Sequence, residues 1–356
     1  GGSRFASGES LVPDPLDAAD PYAAVVAGLA VAQRADLVLP VTEPSTLALL
    51  EAVDRTAVRL PVTDVDRFRR AADKPAVLGL AAELGIQIPT QWTVAGAHDL
   101  PTIPAERFPL VIKPGRSVVG DGTRRWKVGV RYARSAAELV AILEEFGTEA
   151  GPFLLQEKIV GPGVGIFLLR WDGKIVASFA HRRIREKPPS GGVSVCCESI
   201  AAPAELLERS TALLELLDWE GVAMIEYKQD TRTGRHCLME INPRFWGSLQ
   251  LAVDAGVDFP WYLTRLALGE RVEPVHSWRI GVRSRWWLGE IDHLIARLRR
   301  SKAELHLPAD APGRARALVT ALTPWRPRQK NDVFRLSDPV PAIRESVAWL
   351  KELAGR

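Results

Sequence analysis

The segment CLMEINPRF, residues 237–245, decides the fold expected of this chain. It opens with three apolar residues, which predict a β-strand, and then alternates polar with apolar positions. Successive side chains of a strand point to opposite sides, so Glu240, Asn242 and Arg244 are expected to project together. A carboxylate, a carboxamide and a guanidinium side by side at a strand end predict a binding site for a charged ligand.

The preceding segment GVAMIEYKQD (221–230) also reads as a strand, and the two strands predict a β-hairpin. Glu226 and Glu240 then face each other across the hairpin. Two half-buried carboxylates repel each other, and Mg²⁺, which prefers oxygen ligands, is the cation expected between them. Asn242 adds a neutral oxygen, and Arg244 can clamp a phosphoryl or carboxylate oxygen. The alternative is a surface hairpin whose charges are solvated.

Two lysines upstream are candidate phosphate contacts. Lys113 ends the apolar strand FPLVIKP (108–114), and the glycine-bearing basic loop GRSVVGDGTRR (115–125) follows it, as a flap over phosphates would. This loop lacks the P-loop pattern, and by itself it is equally an ordinary turn. Lys74 follows Asp73, a predicted helix N-cap, and its alternative role is a solvated surface lysine.

The order of these pieces along the chain resembles the ATP-grasp superfamily. A strand ending in Lys-Pro, a glycine-containing loop, the segment QEKIVGPGVG (156–165), a strand glutamate and EINPRF (240–245) occur in that order. The nucleotide domains of biotin carboxylase and of the carbamoyl phosphate synthetase large chain show a similar arrangement. The resemblance covers roughly residues 36–270.

The resemblance implies an α/β ATP-grasp fold in which two α+β lobes clasp ATP, with ATP and Mg²⁺ (or Mn²⁺) as cofactors. It implies that Lys113, with Lys74 assisting, contacts the nucleotide phosphates, and that Arg244 stabilises the transferred phosphoryl group or an acyl phosphate. The implied metal ligands are Glu226, Glu240 and Asn242. The implied adenine-binding hinge comprises Gln156, Glu157, Lys158 and Ile159.

Two features depart from the superfamily pattern. The flap has fewer glycines than is usual, and Pro162 and Val164 stand where an acidic residue often follows the hinge, so the ribose contacts stay open. The chain begins GGSRF, which we interpret as the remnant of a glycine turn whose preceding first strand is missing.

The remaining patterns predict the organisation of the chain. A helix at 22–34 and a buried strand at 35–43 indicate a doubly wound α/β unit, a Rossmann-like lobe ahead of the ATP-grasp lobes. The region after Gly269 is basic and Trp-rich and is expected to be helical. The predicted domains are 1–72 (Rossmann-like lobe), 73–160 (small lid lobe), 161–270 (large lobe with the metal site) and 271–356 (C-terminal extension).

The segment AHRRIREKPPSGG (180–192) is the candidate substrate site. Alternation along a strand puts His181, Arg183 and Arg185 on one face and Arg182 on the other. We expect the face with Arg183 and Arg185 to bind a carboxylate and its acyl phosphate, with His181 as an orienting residue. The alternative is a cationic strand packed against acidic neighbours. The other predicted contacts in this loop are Ser190, Gly191 and Gly192.

The function implied is an ATP-dependent carboxylate–amine ligase that releases ADP and phosphate, with a small-molecule carboxylate and an amine as substrates. Two alternatives stay open: a non-catalytic ATP-binding protein on the same fold, and a carboxylase acting on bicarbonate. No Ser-His-Asp or Cys-His arrangement is evident, and no G-x-G-x-x-G follows a strand near the start, which disfavours NAD.

Composition narrows the class of protein. The net charge of +3 is too small to argue for nucleic acid. Three cysteines, two of them adjacent, do not form a disulfide framework, and a cytoplasmic location is the simplest expectation. A predicted amphipathic helix at 286–300 either docks on its own domain or, as part of 271–335, contacts a membrane surface or a protein partner. The oligomeric state is left open, with a dimer as one possibility.

Overall fold

The computed structural model describes residues 2–54, 58–120, 125–147, 151–308, 310–323 and 328–354. Its strands are β1 Gln91–Val94, β2 Leu110–Pro114, β3 Val118–Gly120, β4 Arg125–Lys127, β5 Arg131–Ala133, β6 Phe153–Glu157, β7 Gly163–Trp171, β8 Lys174–Lys187, β9 Val193–Ser199, β10 Gly221–Gln229, β11 His236–Asn242, β12 Arg283–Arg285 and β13 Gln329–Asn331. Its α-helices are α1 Ala19–Ala32, α2 Glu43–Ala52, α3 Val65–Ala72, α4 Lys74–Glu83, α5 Ala136–Phe146, α6 Ala204–Leu216, α7 Leu249–Ala255, α8 Phe259–Ala267, α9 Trp287–Arg299, α10 Arg314–Leu322 and α11 Val340–Ala354.

A seven-stranded sheet in the order β11-β10-β7-β8-β9-β12-β13 organises the large lobe, and only its last pair is parallel. Both faces are covered, so the central strand β7 is apolar or glycine from Gly163 to Leu169. Along β7, Ile166 packs in the cluster that includes α6, while Phe167 packs in the cluster that includes α7 and α8. Burial on both faces explains why β7 shows no polar alternation.

A four-stranded antiparallel sheet in the order β1-β6-β2-β5 forms the small lobe. Helix α5 covers one face, with Leu139 and Leu143 packed against Ile112 and Phe153. Ser135 caps the start of α5, where its hydroxyl oxygen accepts a hydrogen bond from the amide of Glu138 at 3.3 Å. Strands β3 and β4 form the two sides of the predicted flap, whose residues 121–124 lie outside the described part.

The N-terminal region differs from the predicted Rossmann-like lobe. In the described ranges 2–54 and 58–90 no strand occurs, so the strand predicted at 35–43 is wrong and the lobe is not confirmed. The amide of Val38 donates to the carbonyl of Arg59 at 3.0 Å, as it would in a strand pair. Pro40 has no N–H to donate, and the segment instead leads into α2, whose first turn is capped by Thr42.

The C-terminal region extends the large sheet through β12 and β13 and adds three helices. The predicted helix at 286–300 is confirmed as α9, but it buries Glu290 and Arg297 while Ile291 and Leu298 stay 40% and 42% exposed. The last helix in the described part of the chain is α11. Within the described ranges we find no helix with the length and apolarity that a bilayer crossing requires.

Candidate functional site

A cavity of about 340 Å³ lies between the two sheets and is lined from both lobes. The small lobe contributes Val111, Lys113, Val130 and Tyr132, and the large lobe contributes the floor. Most residues predicted for the site meet here. The predicted residues that line it are Lys113, Gln156, Glu157, Lys158, Ile159, Arg183, Ser190, Gly191, Gly192, Glu226, Glu240, Asn242 and Arg244.

The carboxylate pair occupies the floor of the cavity. The β10–β11 hairpin is confirmed, and Glu226 is the register partner of Glu240. Lys74, at the first turn of α4, lies with its Nζ 3.4 Å from Oε2 of Glu240 and donates to Oγ of Ser117 at 2.9 Å. This lysine therefore joins the small lobe, the base of the flap and the carboxylate pair.

The two carboxylates have different environments. Burial raises the pKa of Glu226, and the charge of Glu240 adds to this against the pull of Arg183. Burial alone would also raise the pKa of Glu240, but the ammonium groups of Lys74 and Lys113 outweigh it and lower that pKa to about 2. Burial lowers the pKa of Lys113, and Glu240 opposes this change. Glu240 is therefore the firmly ionised member of the pair.

Arg183 is the counter-ion of Glu226. Its Nη1 and Nη2 donate to the two carboxylate oxygens of Glu226 at 2.8 and 2.5 Å. Nη1 also lies 2.9 Å from Oε1 of Glu186 and 3.1 Å from the carbonyl of Gly192. One guanidinium thus serves two carboxylates, with its side chain only 10% exposed.

Asn242 and Arg244 are tied to each other at the end of β11. Nη2 of Arg244 donates to Oδ1 of Asn242 at 2.8 Å, and the amide nitrogen of Asn242 donates to Oε1 of Glu240 at 3.2 Å. Nη1 of Arg244 is held by the carbonyl of Phe245 at 2.7 Å. The end of β11 therefore holds the carboxylate of Glu240, the carboxamide of Asn242 and the guanidinium of Arg244 in one chain of hydrogen bonds. The alternation of side chains along a strand predicted that these three groups lie together.

The predicted hinge residues lie at the boundary of the lobes, but their side chains are engaged elsewhere. Gln156 is buried and donates to Gln91 at 2.8 Å, while Glu157 accepts from Arg232 at 3.0 Å. Ile159 packs on Cys237 and Met239 and gives the cavity an apolar wall. The side chains of Gln156 and Glu157 are therefore not available to a nucleotide base. The surfaces that a base could contact are the hinge backbone and the apolar wall.

The loop 188–192 approaches the small lobe across the cavity. The hydroxyl of Tyr132, on β5, donates to the carbonyl of Ser190 at 3.3 Å. The amide of Gly191 is used within the loop, where it donates to the carbonyl of Pro188 at 3.1 Å. The Gly191 amide predicted for substrate binding is therefore occupied in this conformation.

The structure corrects two substrate predictions on β8. Arg185 does not line the cavity; its Nε donates to Glu290 of α9 at 2.5 Å, and it lies in a separate cavity with Arg182. The β8–β9 register shifts on both sides of Arg185, and such bulges break the alternation that placed it beside Arg183.

His181 is fully buried and is also absent from the cavity lining. Its Nδ1 lies 3.3 Å from Oγ of Ser248, which does line the cavity, and its ring makes an edge contact with Phe167. Burial lowers its pKa well below the ordinary value. His181 can therefore orient Ser248, but it does not contact a substrate directly.

Several residues of the site were not predicted. Glu186, Tyr132 and Lys228 line the cavity. Lys228 could have been found, because it shares a face of β10 with Glu226 by alternation. Glu43 is buried at the start of α2, where burial raises its pKa and Lys74 and Arg244 act against that increase. The proximity of Glu43 to Lys74 and Arg244 depends on the packing of α2. No pattern within a single segment of the sequence predicts this packing.

Gly163 in the segment after the hinge makes room for Arg183. A Cβ added at this position would lie 2.8 Å from Cδ of Arg183. Gly161 is more tightly restricted, because its φ is +154° and a Cβ there would lie 1.8 Å from the carbonyl oxygen of Gln229. The glycines of this segment therefore allow close approach of β8 and β10 to the hinge.

The donor atoms fit a hard divalent cation. Carboxylate oxygens of Glu226 and Glu240 and the amide oxygen of Asn242 are the ligand types that Mg²⁺ prefers. Among the residues that the structure describes, no group of three or more His, Cys, Asp or Glu side chains could hold a metal ion. A cation here would therefore be held by the two carboxylates and the amide oxygen of Asn242, with water or a bound ligand completing its coordination.

Comparisons with known proteins agree with this arrangement. A family model described as "ATP-grasp in the biosynthetic pathway with Ter operon" matches residues 149–289. The carbamoyl phosphate synthase large chain of Gemmatimonas aurantiaca is 24% identical over 239 residues, covering 64% of this chain and 21% of its own length. The chain thus spans about a fifth of that relative.

Two solved structures share the fold. The L-amino acid ligase from Bacillus licheniformis is 20% identical, with a TM-score of 0.57 over 73% of this chain and 63% of its own. The biotin carboxylase domain of Hydrogenobacter thermophilus 2-oxoglutarate carboxylase, in complex with MgADP, ADP and bicarbonate, is 18% identical, with a TM-score of 0.58 over 74% of this chain and 61% of its own. The two lobes with their intervening cavity define an ATP-grasp fold. Residues 149–289 match the ATP-grasp family model, and the chain shares the fold of these solved structures.

Proposed function

We propose that this protein is an ATP-dependent ligase that activates a carboxylate as an acyl phosphate and joins it to an amine. The observation that carries the proposal is the register pair Glu226–Glu240 on the floor of the cavity, with Lys74 and Lys113 of the small lobe beside it. Buried carboxylates and lysines that converge from two lobes suit a nucleotide whose phosphates and metal lie between them.

The proposed roles follow from charge. Lys113 and Lys74 neutralise the nucleotide phosphates, and Glu226, Glu240 and Asn242 hold Mg²⁺. The metal supplies charge neutralisation at the phosphate oxygens. The adenine base packs on Ile159 and Met239 and contacts the backbone of residues 156–159.

Arg244 and Arg183 act on the reacting groups. A carboxylate oxygen of the substrate attacks the terminal phosphorus, ADP leaves with its electron pair, and the amine then displaces phosphate at the acyl carbon. Arg244, held by Asn242 and Phe245, stabilises the charge on the transferred phosphoryl group. Arg183 is close enough to Glu186 and Gly192 to hold the acid near the loop 188–192.

The test is a screen for ADP release with Mg·ATP. Amino acids, dipeptides and hydroxy acids are offered singly and in pairs with amines, and mass spectrometry identifies the product. With ¹⁸O in the carboxylate of the active acid, the mechanism transfers one labelled oxygen to inorganic phosphate. The proposal fails if label stays wholly in the product.

Other outcomes of the same screen separate the alternatives. ADP release that needs bicarbonate and no amine would indicate a carboxylase. Calorimetric binding of Mg·ATP without turnover for any pair would indicate a non-catalytic ATP-binding protein. A membrane or protein contact through 271–335, a dimeric assembly and a cytoplasmic location stay predictions.

A further inference from the structure

We propose that Arg183 is the resting counter-ion of Glu226 and that it yields this carboxylate to the divalent cation, while Glu186 retains the displaced guanidinium in the cavity. The inference rests on the proposed function, since it assigns an order of events at the same site. It makes Arg183 and Glu186 positioning residues that control metal loading.

The contacts of Glu226 show the competition. Both of its oxygens accept hydrogen bonds from Arg183, at 2.8 and 2.5 Å. A guanidinium in this bidentate position and a divalent cation on the same carboxylate repel each other. A cation that binds between Glu226 and Glu240 must therefore displace Arg183 at least in part.

Arg183 has a second set of acceptors already in place. Nη1 is shared among Glu226, Glu186 at 2.9 Å and the carbonyl of Gly192 at 3.1 Å. Its Nε is buried and has no hydrogen-bond partner in the described part of the chain. The guanidinium can therefore leave Glu226 without losing every acceptor, because Glu186 and Gly192 remain within reach.

The arrangement also has room for this change. Arg183 and Glu186 both line the cavity of about 340 Å³, so the guanidinium has open space beside it. Nζ of Lys74 lies 3.4 Å from Oε2 of Glu240, so this carboxylate has a cation of its own. Glu226, by contrast, is hydrogen-bonded to Arg183 through both of its oxygens.

Mn²⁺ binding to the full chain without nucleotide tests the proposal. Electron paramagnetic resonance reports free Mn²⁺ directly, and two variants change geometry at constant charge. Arg183→Lys cannot hold both oxygens of Glu226, so its Mn²⁺ affinity should rise about fivefold, the low end of typical coupling between sites. In Glu186→Asp the carboxylate is one methylene too short to reach Nη1 of Arg183. Arg183 then stays paired with Glu226, so Mn²⁺ binding should weaken about fivefold.

Arg182→Lys is the matched control, because Arg182 is the neighbour of Arg183 on β8 and pairs with Glu198 at 3.0 Å, outside the cavity. Its Mn²⁺ affinity should equal that of the wild type. Equal affinities of Arg183→Lys and the wild type, or equal increases in both lysine variants, overturn the exchange. Should Arg183→Lys fail to fold, an unchanged affinity in Glu186→Asp overturns it instead.

A parallel titration with Mn·ADP separates the two proposals. If the wild type binds no Mn·ADP, the proposed function fails and the exchange fails with it. If the wild type binds Mn·ADP but the two constant-charge variants match it in binding Mn²⁺ alone, the exchange fails and the ligase proposal stands.

Discussion

Two buried ion-pair clusters stand two residues apart on β8, and they are built in opposite ways. In the cavity, one guanidinium of Arg183 serves two carboxylates, Glu226 and Glu186. At α9, one carboxylate of Glu290 serves two guanidinium groups, Arg185 and Arg285. Arg285 is further held by the carbonyls of Thr323 and Ala321, at 2.8 and 3.0 Å.

The difference teaches that buried charge does not by itself mark a functional site. Around Arg183 two carboxylates share one guanidinium, and all three groups line the cavity between the lobes. Around Glu290 the surplus positive charge is hydrogen-bonded by backbone carbonyls. The first cluster is open to a ligand that enters the cavity, while the second joins α9 to the sheet.

Removal of the central carboxylate of the second cluster should have the largest effect. Glu290→Gln leaves Arg185 and Arg285 buried without a counter-charge, which should lower the free energy of unfolding by about 3–5 kcal/mol. Urea denaturation measures this. Glu205→Gln, which breaks an exposed pair with Arg209, is the control and should cost less than about 0.5 kcal/mol. Equal stabilities of the two variants would contradict a structural role for Glu290.

Loss of the ionised carboxylate in the cavity should act on catalysis. Glu240→Gln should lower kcat/KM for acid-dependent ADP release by about 10²–10³-fold, equivalent to about 2.7–4 kcal/mol, because a carboxylate proposed to hold Mg²⁺ at the reacting phosphates is lost. Steady-state kinetics measure this, with Glu205→Gln as the unaffected control. Near-wild-type kinetics in Glu240→Gln would remove this carboxylate from the mechanism.

Acid should erase the stability that Glu240 provides. The pKa of Glu240 is lowered to about 2 from an ordinary value of 4.5, so its contribution is complete above pH 4.5 and disappears as the pH falls towards 2. At pH 7 the free energy of unfolding of the wild type should exceed that of Glu240→Gln by roughly 2–3 kcal/mol, and the two values should converge in acid. Denaturation series at several pH values test this. A difference that stays constant with pH would mean that the ionised form is not favoured by Lys74 and Lys113.

A methyl group beside Arg183 should have a smaller effect. Gly163→Ala places a Cβ 2.8 Å from Cδ of Arg183, so the guanidinium must shift, and kcat/KM should fall by on the order of tenfold. Gly79→Ala in α4 is the matched control, because nothing lies within 4 Å of its added Cβ. It should keep full activity and gain about 0.5–1 kcal/mol of stability. Equal activity in both variants would show that Arg183 tolerates displacement.

The sequence predicted those features that depend on residues close together along the chain. The cap predicted at Asp73 depends on a residue three positions away, and it is confirmed. The hairpin of β10 and β11 is confirmed as well, but the pairing of Glu226 with Glu240 also needs a bulge between Glu226 and Tyr227, because the register of the turn would pair Glu226 with Met239. The convergence of Glu226, Glu240, Asn242 and Arg244 in one cavity agrees with the sequence, while their roles toward metal and phosphate stay predictions.

The features that the sequence did not predict depend on contacts between residues far apart along the chain. The face of Arg185 depends on bulges that arise where β8 pairs with β9, and alternation along β8 alone cannot report them. Residues 35–43 are mostly apolar, but Val38 and Leu39 pack in two different clusters and no strand forms. Tyr132 lines the cavity through the packing of the small lobe, and Glu43 comes near Lys74 and Arg244 through the packing of α2. The sequence of a single segment does not indicate either arrangement.

The contact of His306 with the small lobe gives the C-terminal region a mechanical role. The ring of His306 stacks on Tyr132 with centroids 4.5 Å apart, and its carbonyl accepts a hydrogen bond from Lys158 of the hinge. Residues 302–307 therefore fasten the C-terminal region to the small lobe. Any rotation of the small lobe relative to the large one would have to carry this contact along or break it, so removal of the C-terminal region would change how freely the two lobes move.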